Sequence, residues 1–284
     1  MRRIVAIGDL HGDLESALGV LRMARVIDDS SRWAGGNDTV LVQTGNVIDY
    51  GPDTKGLLSL LSRLVREANS AGGRVVQLLG NHEIMNMMGD LRFVRERPDE
   101  FLSPDTRAVT FSSTGYLGSR LFNLPLVHQV GDTVFARGGI TPLWAGMGVR
   151  TINSQARSEL NSYANNPKHA TSMQYPFLLG KESPAQYASY AMESNQLACK
   201  VLEHSLSIMD AKRMVVGHTV QKSGKIHAQC GGRLFFINTG ISRAIQGKQS
   251  ALEVLPDGTV RAIYPSGSVD LVPASGSQTP PHSL

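Results

Sequence analysis

The sequence predicts an α/β fold whose strands converge on one edge of a sheet. Short apolar, β-branched runs at residues 3–7 and 39–43 flank a helical pattern over residues 13–24. Such runs are typical of buried strands, and the alternation of strand and helix indicates parallel strands with right-handed crossovers. Ligands bind at the carboxyl ends of strands in open α/β sheets, so polar residues that follow each run are expected to meet there.

The first two predicted helices have clear boundary signals. Residues 13–24 carry apolar residues at helical spacing, and Asp13 is suited to be the N-cap. Residues 54–71 repeat the pattern, and Gly72 with Gly73 ends it.

The remainder of the chain is less regular. Residues 89–125 and 142–180 lack a strand pattern and are expected to be helical or irregular insertions over the site edge, whereas residues 185–209 are expected to be a helix. Short strands are predicted at residues 225–229, 233–237, 250–255 and 260–264, with Asp257-Gly258 as a hairpin turn. Residues 1–265 are therefore predicted to form one domain, and the Ser/Pro/Gly-rich residues 266–284 a polar tail.

Composition narrows the class of partner. The 284 residues carry a net charge of +4 without a dense Lys/Arg run, which argues against a nucleic-acid partner. No stretch of about eighteen apolar residues is present, so no membrane span is expected. Cys199 and Cys230 stand alone and do not make a disulfide framework. They favour an intracellular, reducing compartment, either cytoplasmic or organellar.

Polar motifs follow the strand-like runs. They are GDLHG at residues 8–12, GNVIDYG at 45–51, GNHE at 80–83, RGG at 137–139 and GHT at 217–219. In this order they resemble the blocks of the calcineurin-like metallophosphoesterases. The stretches GNHEIMNMMGD (80–90), VVGHTVQ (215–221) and GGRLFFINTG (231–240) resemble the Shewanella-like branch of the PPP serine/threonine phosphatases. The resemblance implies a β-sandwich flanked by α-helices, with two divalent metals (Mn, Fe or Zn) at the sheet edge.

Most of the implied site positions are intact. In such enzymes a water bridging two metals attacks phosphorus, while a histidine protonates the leaving oxygen and an aspartate orients that histidine. The matching residues here are Asp9 and His11 for the first metal, Asn81 and His218 for the second, and His82 with Asp49 for proton transfer. Taken singly, each could be a structural polar residue at a strand end. Taken together, they favour an inherited site.

Other positions depart from the implied pattern. Asn46 replaces the metal-bridging aspartate, and a neutral amide cannot offer two anionic oxygens to two cations. Arg137 replaces a histidine ligand of the second metal and is permanently protonated. Its charge about 4 Å from a divalent ion would cost about 8 kcal/mol at an effective dielectric of 20. Tyr50 and Ala188 replace two phosphate-binding arginines, and Asn238 stands where an aspartate is usual.

These changes favour a non-catalytic relative, a pseudophosphatase with a structural or interaction role and with protein partners in a larger assembly. We expect no dinuclear metal centre. Two alternatives stay open: a metal-dependent phosphatase with a modified site, and a phospho-group binding module that uses Arg137. The Arg137 guanidinium is expected within salt-bridge reach of Asp9 or Asp49, where it would substitute for the ion, and the competing expectation is that it turns to solvent.

Overall fold

The computed structural model describes residues 2–94, 100–167, 171 and 173–274. Their strands are β1 (Arg3–Ile7), β2 (Thr39–Gln43), β3 (Arg74–Gln77), β4 (Val127–Val130), β5 (Thr133–Ala136), β6 (Arg213–Val216), β7 (His227–Gln229), β8 (Leu234–Phe236), β9 (Ala251–Val254), β10 (Val260–Tyr264) and β11 (Gly267–Val272). Their helices are α1 (Leu14–Met23), α2 (Thr54–Ser70), α3 (Asn81–Met87), α4 (Pro104–Phe111), α5 (Gly118–Leu121), α6 (Pro142–Met147), α7 (Val149–Asn165), α8 (Pro176–Leu179), α9 (Ser189–Met192) and α10 (Asn195–Ile208).

The strands form two sheets. One has six strands in the order β11-β10-β9-β1-β2-β3, and the other has five in the order β4-β5-β6-β8-β7. The neighbours β1, β2 and β3 are parallel, as are β5, β6 and β8. The α/β fold class and the parallel N-terminal strands are therefore confirmed.

Both faces of the central strands are buried. In β1, Ile4 and Ala6 join a cluster that also contains Phe135 and Phe235 of the other sheet, so this face packs between the sheets. Val5 and Ile7 point to the opposite face, into the cluster that contains the helical residue Leu21 and its neighbours. Burial on two faces explains why these strands read as continuous apolar runs.

The first two helices begin and end where the sequence indicates. The Asp13 side chain accepts a hydrogen bond from the Ser16 amide at 3.0 Å and caps α1. Helix α2 ends just before Gly72, whose φ of +81° lies in the left-handed region that favours glycine. Among the described helices, none combines the length and the apolarity needed to cross a bilayer.

The two insertions are helical, as expected. Helices α4 and α5 lie within residues 89–125, of which residues 95–99 are outside the description, and α6, α7 and α8 lie within residues 142–180. The single helix predicted over residues 185–209 is wrong, because α9 and α10 are separate. Ser194 lies between them and starts a new helix by accepting a hydrogen bond from the Leu197 amide.

The predicted polar tail is wrong at its start. Strand β11 pairs antiparallel with β10 across a tight turn, with Tyr264 opposite Gly267. Its residues Leu271 and Val272 pack against the cluster between the sheets, which supplies the burial that a tail would lack. Residues 275–284 of the predicted tail lie outside the described residues.

The two cysteines are paired, so the expectation of isolated thiols is wrong. Cys199 in α10 and Cys230 after β7 form a disulfide, with Cα atoms 5.3 Å apart. They are 31 residues apart in sequence and meet only because α10 lies beside the β7–β8 turn. The compartment of the protein stays a prediction.

Candidate active site

The polar motifs meet at the carboxyl ends of their strands. The His11 amide donates to the Asn46 carbonyl at 3.0 Å, which joins the first motif to the second. The amides of Gly217 and His218 donate to the Arg137 carbonyl at 2.8 and 2.7 Å, which joins the fifth motif to the fourth. Loops from both sheets therefore assemble one site.

Asp9 lies at the centre of the half of the site that the resemblance assigns to metal. Its Oδ2 atom is 2.9 Å from Arg137 Nη2, 3.3 Å from Asn46 Nδ2 and 3.3 Å from His11 Nε2. The side chains of Asp9 and Arg137 are only 1% and 3% exposed. The expected salt bridge between Arg137 and Asp9 is confirmed, and the expectation that Arg137 turns to solvent is wrong.

Burial and charge oppose each other in this pair. Burial alone would raise the pKa of Asp9, but Arg137 and the hydrogen bond with His11 bring that pKa below its ordinary value. Burial lowers the pKa of Arg137, against the pull of Asp9 and Glu83, yet a guanidinium remains protonated. Burial, and then the nearby Arg137 charge, lower the pKa of His218 to about 4.

Several polar atoms around this pair are buried without a hydrogen-bond partner in the part of the chain that the structure describes. They are Asp9 Oδ1, Asn81 Oδ1, His218 Nδ1, and Arg137 Nε and Nη1. The resemblance assigns Asn81, His218 and the position of Arg137 to the second metal. The protein groups that the structure describes leave these atoms without hydrogen bonds to one another.

The proton-transfer half is more completely hydrogen-bonded. His82 Nδ1 is 2.8 Å from Asp49 Oδ2, as expected for a histidine oriented by an aspartate. Asn86 Nδ2 donates to the two oxygens of Asp49 at 3.2 and 3.0 Å. The pairing that the sequence predicted between His82 and Asp49 is therefore present.

Arg107 is a site residue that the sequence analysis missed. It comes from α4 and donates through Nη2 to Asp49 Oδ1 and through Nε to Asn86 Oδ1, both at 2.7 Å. Its guanidinium carbon lies 4.7 Å from the ring centre of Phe101 and 5.1 Å from that of Phe111. These cation–π contacts hold a buried cation in the insertion against the aspartate.

Glu83 is a second missed residue, and it holds the backbone of the site. One carboxylate oxygen accepts from the Asn46 and Gly80 amides at 2.8 Å. The other accepts from the Val47 amide at 2.8 Å and the Ile48 amide at 3.4 Å. Its position three residues after Gly80 has the spacing of a capping box, which is the signal that could have identified it.

Tyr50 lies where the implied phosphate-binding arginine would be. Its ring centre is 4.8 Å from that of His11, 5.3 Å from that of His82 and 6.0 Å from that of Phe93. Its φ of +61° is unusual for a bulky residue, and such backbone strain is concentrated at functional sites. An aromatic cluster therefore occupies this side of the site.

The last two substituted positions, Asn238 and Ala188, lie in segments that hold loops of the site together. Asn238 is buried, accepts from the Gly240 amide at 3.1 Å and donates to the His218 carbonyl at 3.4 Å, so it ties two loops together. Ala188 belongs to a segment that packs on the RGG motif, where the Gly138 amide donates to the Pro184 carbonyl at 2.6 Å. Its methyl group brings no charge to the site.

A cleft of about 1020 Å³ opens beside Asn81. Its walls combine the apolar side chains of Met85, Met88 and Phe93 with the charged side chains of Asp90 and Arg92. The arrangement gives small molecules or side chains a route to the edge where the motifs meet.

The chain matches known proteins over most of its length. Residues 2–222 match the calcineurin-like phosphoesterase family. The chain is 34% identical over 274 residues to a protein of Schizosaccharomyces pombe, covering 92% of this chain and 80% of that protein. It is 32% identical over 308 residues to Shewanella-like protein phosphatase 2 of Arabidopsis thaliana, covering 92% and 77%.

The fold has a close counterpart among solved structures. The crystal structure of a cold-active protein-tyrosine phosphatase from a psychrophilic Shewanella species superposes with a TM-score of 0.82 at 24% identity, covering 96% of this chain and 81% of that one. This likeness shows the shared fold. The family match over residues 2–222, together with the two relatives above 30% identity, establishes that the chain belongs to the calcineurin-like phosphoesterase family.

Proposed function

We propose that this protein is a non-catalytic member of its family, a pseudophosphatase that serves a structural or interaction role. The observation that carries the proposal is the buried salt bridge between Arg137 Nη2 and Asp9 Oδ2, at 2.9 Å. A protein cation contacts the carboxylate at which a metal ion would be held. In the family's reaction, this carboxylate has to contact a metal ion and not an arginine.

The family's pair of divalent metals does not fit this set of residues. Arg137 offers only donors at a position where a histidine would offer a lone pair. Asn46 accepts from the His82 amide through Oδ1 at 3.2 Å and donates to Asp9 through Nδ2 at 3.3 Å, so both ends of its amide are engaged. A bridging carboxylate brings a negative charge shared by two oxygens, whereas the Asn46 amide is neutral and its single oxygen already accepts a hydrogen bond.

The phosphate side supports the same proposal. Bidentate arginines are the usual ligands of phosphate oxygens, and Tyr50 and Ala188 cannot form such contacts. The phospho-group reader is less well supported, because Arg137 is 3% exposed and already paired with Asp9. The active-enzyme alternative depends on Asp9, His11, Asn81 and His218, which all lie at the site, and activity assays test it.

The test is reconstruction of the site. We expect the unmodified protein to hydrolyse p-nitrophenyl phosphate and a phosphopeptide only at background with Mn²⁺ present. Asn46→Asp alone should stay silent, because groups that act as one unit are strongly non-additive. The triple variant Asn46→Asp, Tyr50→Arg, Arg137→His should gain activity.

A matched control shows where any gained activity arises. Adding His82→Ala to the triple variant should abolish the gain, because the acid opposite the leaving group is then lost. Turnover by the unmodified protein at about 1 per second or faster would show that it is an enzyme after all. In its own cell, the His82→Ala protein should replace the original without loss of function.

A further inference from the structure

Two buried carboxylates at the site each face a buried guanidinium. Asp9 is paired with Arg137, and Asp49 is paired with Arg107 at 2.7 Å. In the second pair the side chains are 7% and 2% exposed, nearly as low as in the first. Both pairs therefore lie away from solvent, where an uncompensated carboxylate is strongly unfavourable.

Neither carboxylate has another permanent cation among the partners described above. Around Asp9, Asn46 is neutral, and His11 is charged only if protonated. Around Asp49, Asn86 is neutral, and His82 is charged only if protonated. The two arginines thus supply the fixed positive charge of the site.

The third buried acid is compensated in a different way. Glu83 accepts four hydrogen bonds from backbone amides, so oriented peptide dipoles solvate it. The three buried acids described here therefore all have internal partners, and for Asp9 and Asp49 these partners include a guanidinium in direct contact.

We infer that Arg107 and Arg137 act as built-in cations that compensate the two buried aspartates of this site, Arg137 at the place where the family would hold divalent metal, so that the protein folds and stays folded independently of metal. This inference rests on the proposed loss of the metal centre and deepens it. Arg137 compensates Asp9 from a position that the resemblance assigns to a metal ligand. Arg107 compensates Asp49 from the insertion, across the site.

The consequence is a set of coupled substitutions. Removing one arginine leaves a buried carboxylate without its guanidinium, whereas removing both members of a pair takes away both of its charges. Arg137→Met and Arg107→Met should therefore each lower the melting temperature. The paired variants Asp9→Asn with Arg137→Met, and Asp49→Asn with Arg107→Met, should recover most of that loss.

A surface pair provides the control. Arg92 and Asp90 form a salt bridge in which the arginine side chain is 76% exposed. Exposed pairs contribute little to stability, so Arg92→Met should leave the melting temperature within about 1 °C of the unmodified protein. Its double variant with Asp90→Asn should behave in the same way, with no rescue to observe.

The experiment is thermal unfolding of the full chain in EDTA and in excess MnCl₂. We expect the same midpoint in both, and we expect the double variants at the site to be more stable than the single arginine variants. A metal ion that binds the folded chain, at a concentration about 100-fold above its Kd, would raise the midpoint by roughly 5 °C or more. Such a rise, or double variants no more stable than the singles, would overturn the inference.

The outcomes separate this inference from the proposed function. An inactive protein whose melting temperature rises with Mn²⁺ overturns the inference and leaves the pseudophosphatase proposal standing. An active protein whose melting temperature is the same in EDTA and in Mn²⁺ overturns the pseudophosphatase proposal, while its folding is still shown to be independent of metal. Should Arg137→Met fail to fold, the double variant with Asp9→Asn and the unmodified protein in EDTA still decide the question.

Discussion

The two halves of the site differ in how well their polar groups are matched. In the half built on Asp49, the carboxylate is bound by His82, Asn86 and Arg107 at 2.7 to 3.2 Å. In the half built on Asp9, one carboxylate oxygen takes three contacts, while the other has no partner in the described chain. The first half is a completed network, and the second is not.

The difference follows from where sequence changes fall. His82 and Asp49 keep the residue types that the family resemblance implies, whereas Asn46 and Arg137 do not. Asn81 Oδ1 and His218 Nδ1, at positions that the resemblance assigns to metal ligands, are buried without a partner among the described residues.

The largest loss of stability is expected at Glu83, which supports the backbone of both halves of the site. Glu83→Ala would leave backbone amides from two loops without an acceptor, since Glu83 is 0% exposed and accepts from four of them. We expect a loss of about 4 kcal/mol in the free energy of unfolding. Urea unfolding measures it, and Glu83→Gln is the matched control with an intermediate loss. A loss in Glu83→Ala no greater than in the control would contradict this role.

Lysine substitutions compare the two halves directly. Arg107→Lys keeps the charge but loses the fork that binds Asp49 and Asn86 together, and we expect a loss of about 2 kcal/mol. Arg137→Lys changes a single ion-pair contact, that of Nη2 with Asp9, so its loss should be about 1 kcal/mol. Chemical denaturation of both variants measures the two losses of stability. A larger loss for Arg137→Lys than for Arg107→Lys would contradict the proposed difference between the two halves.

A smaller effect is expected in the pH dependence of stability. The pKa of His218 falls from 6.5 to about 4 on folding, so between these values the unfolded chain binds more protons. Stability should therefore decrease as pH falls from 6.5 toward 4. His218→Gln should flatten the profile in that window, as measured by the denaturation midpoint at pH 4.5 and pH 7. An unchanged slope would show that His218 does not carry this dependence.

The sequence predicted the elements of the site better than its surroundings. The strand-end motifs and the salt bridge of Arg137 with Asp9 could be anticipated, because strand ends of parallel sheets share an edge and a buried cation seeks a carboxylate. The role of Arg107 could not be anticipated, because the sequence pattern around it does not distinguish a buried arginine from a solvent-exposed one. Only the packing of α4 brings Phe101 and Phe111 to it.

The mistaken expectations have the same origin. Cys199 and Cys230 are far apart in sequence, and their pairing depends on how α10 lies beside the β7–β8 turn. The composition after Tyr264 is that of a tail, yet Leu271 and Val272 find a buried surface that the sequence does not reveal. Local patterns specify elements, and tertiary contacts decide these exceptions.

Metal content is the most direct test of the account. The full chain should be dialysed against Mn²⁺, returned to metal-free buffer and measured by elemental analysis together with the triple variant Asn46→Asp, Tyr50→Arg, Arg137→His. With Arg137 held on Asp9 at 2.9 Å, we predict well below one equivalent of metal in the unmodified protein and more in the variant. About two equivalents per unmodified chain would contradict the central claim that arginine has displaced the metal pair.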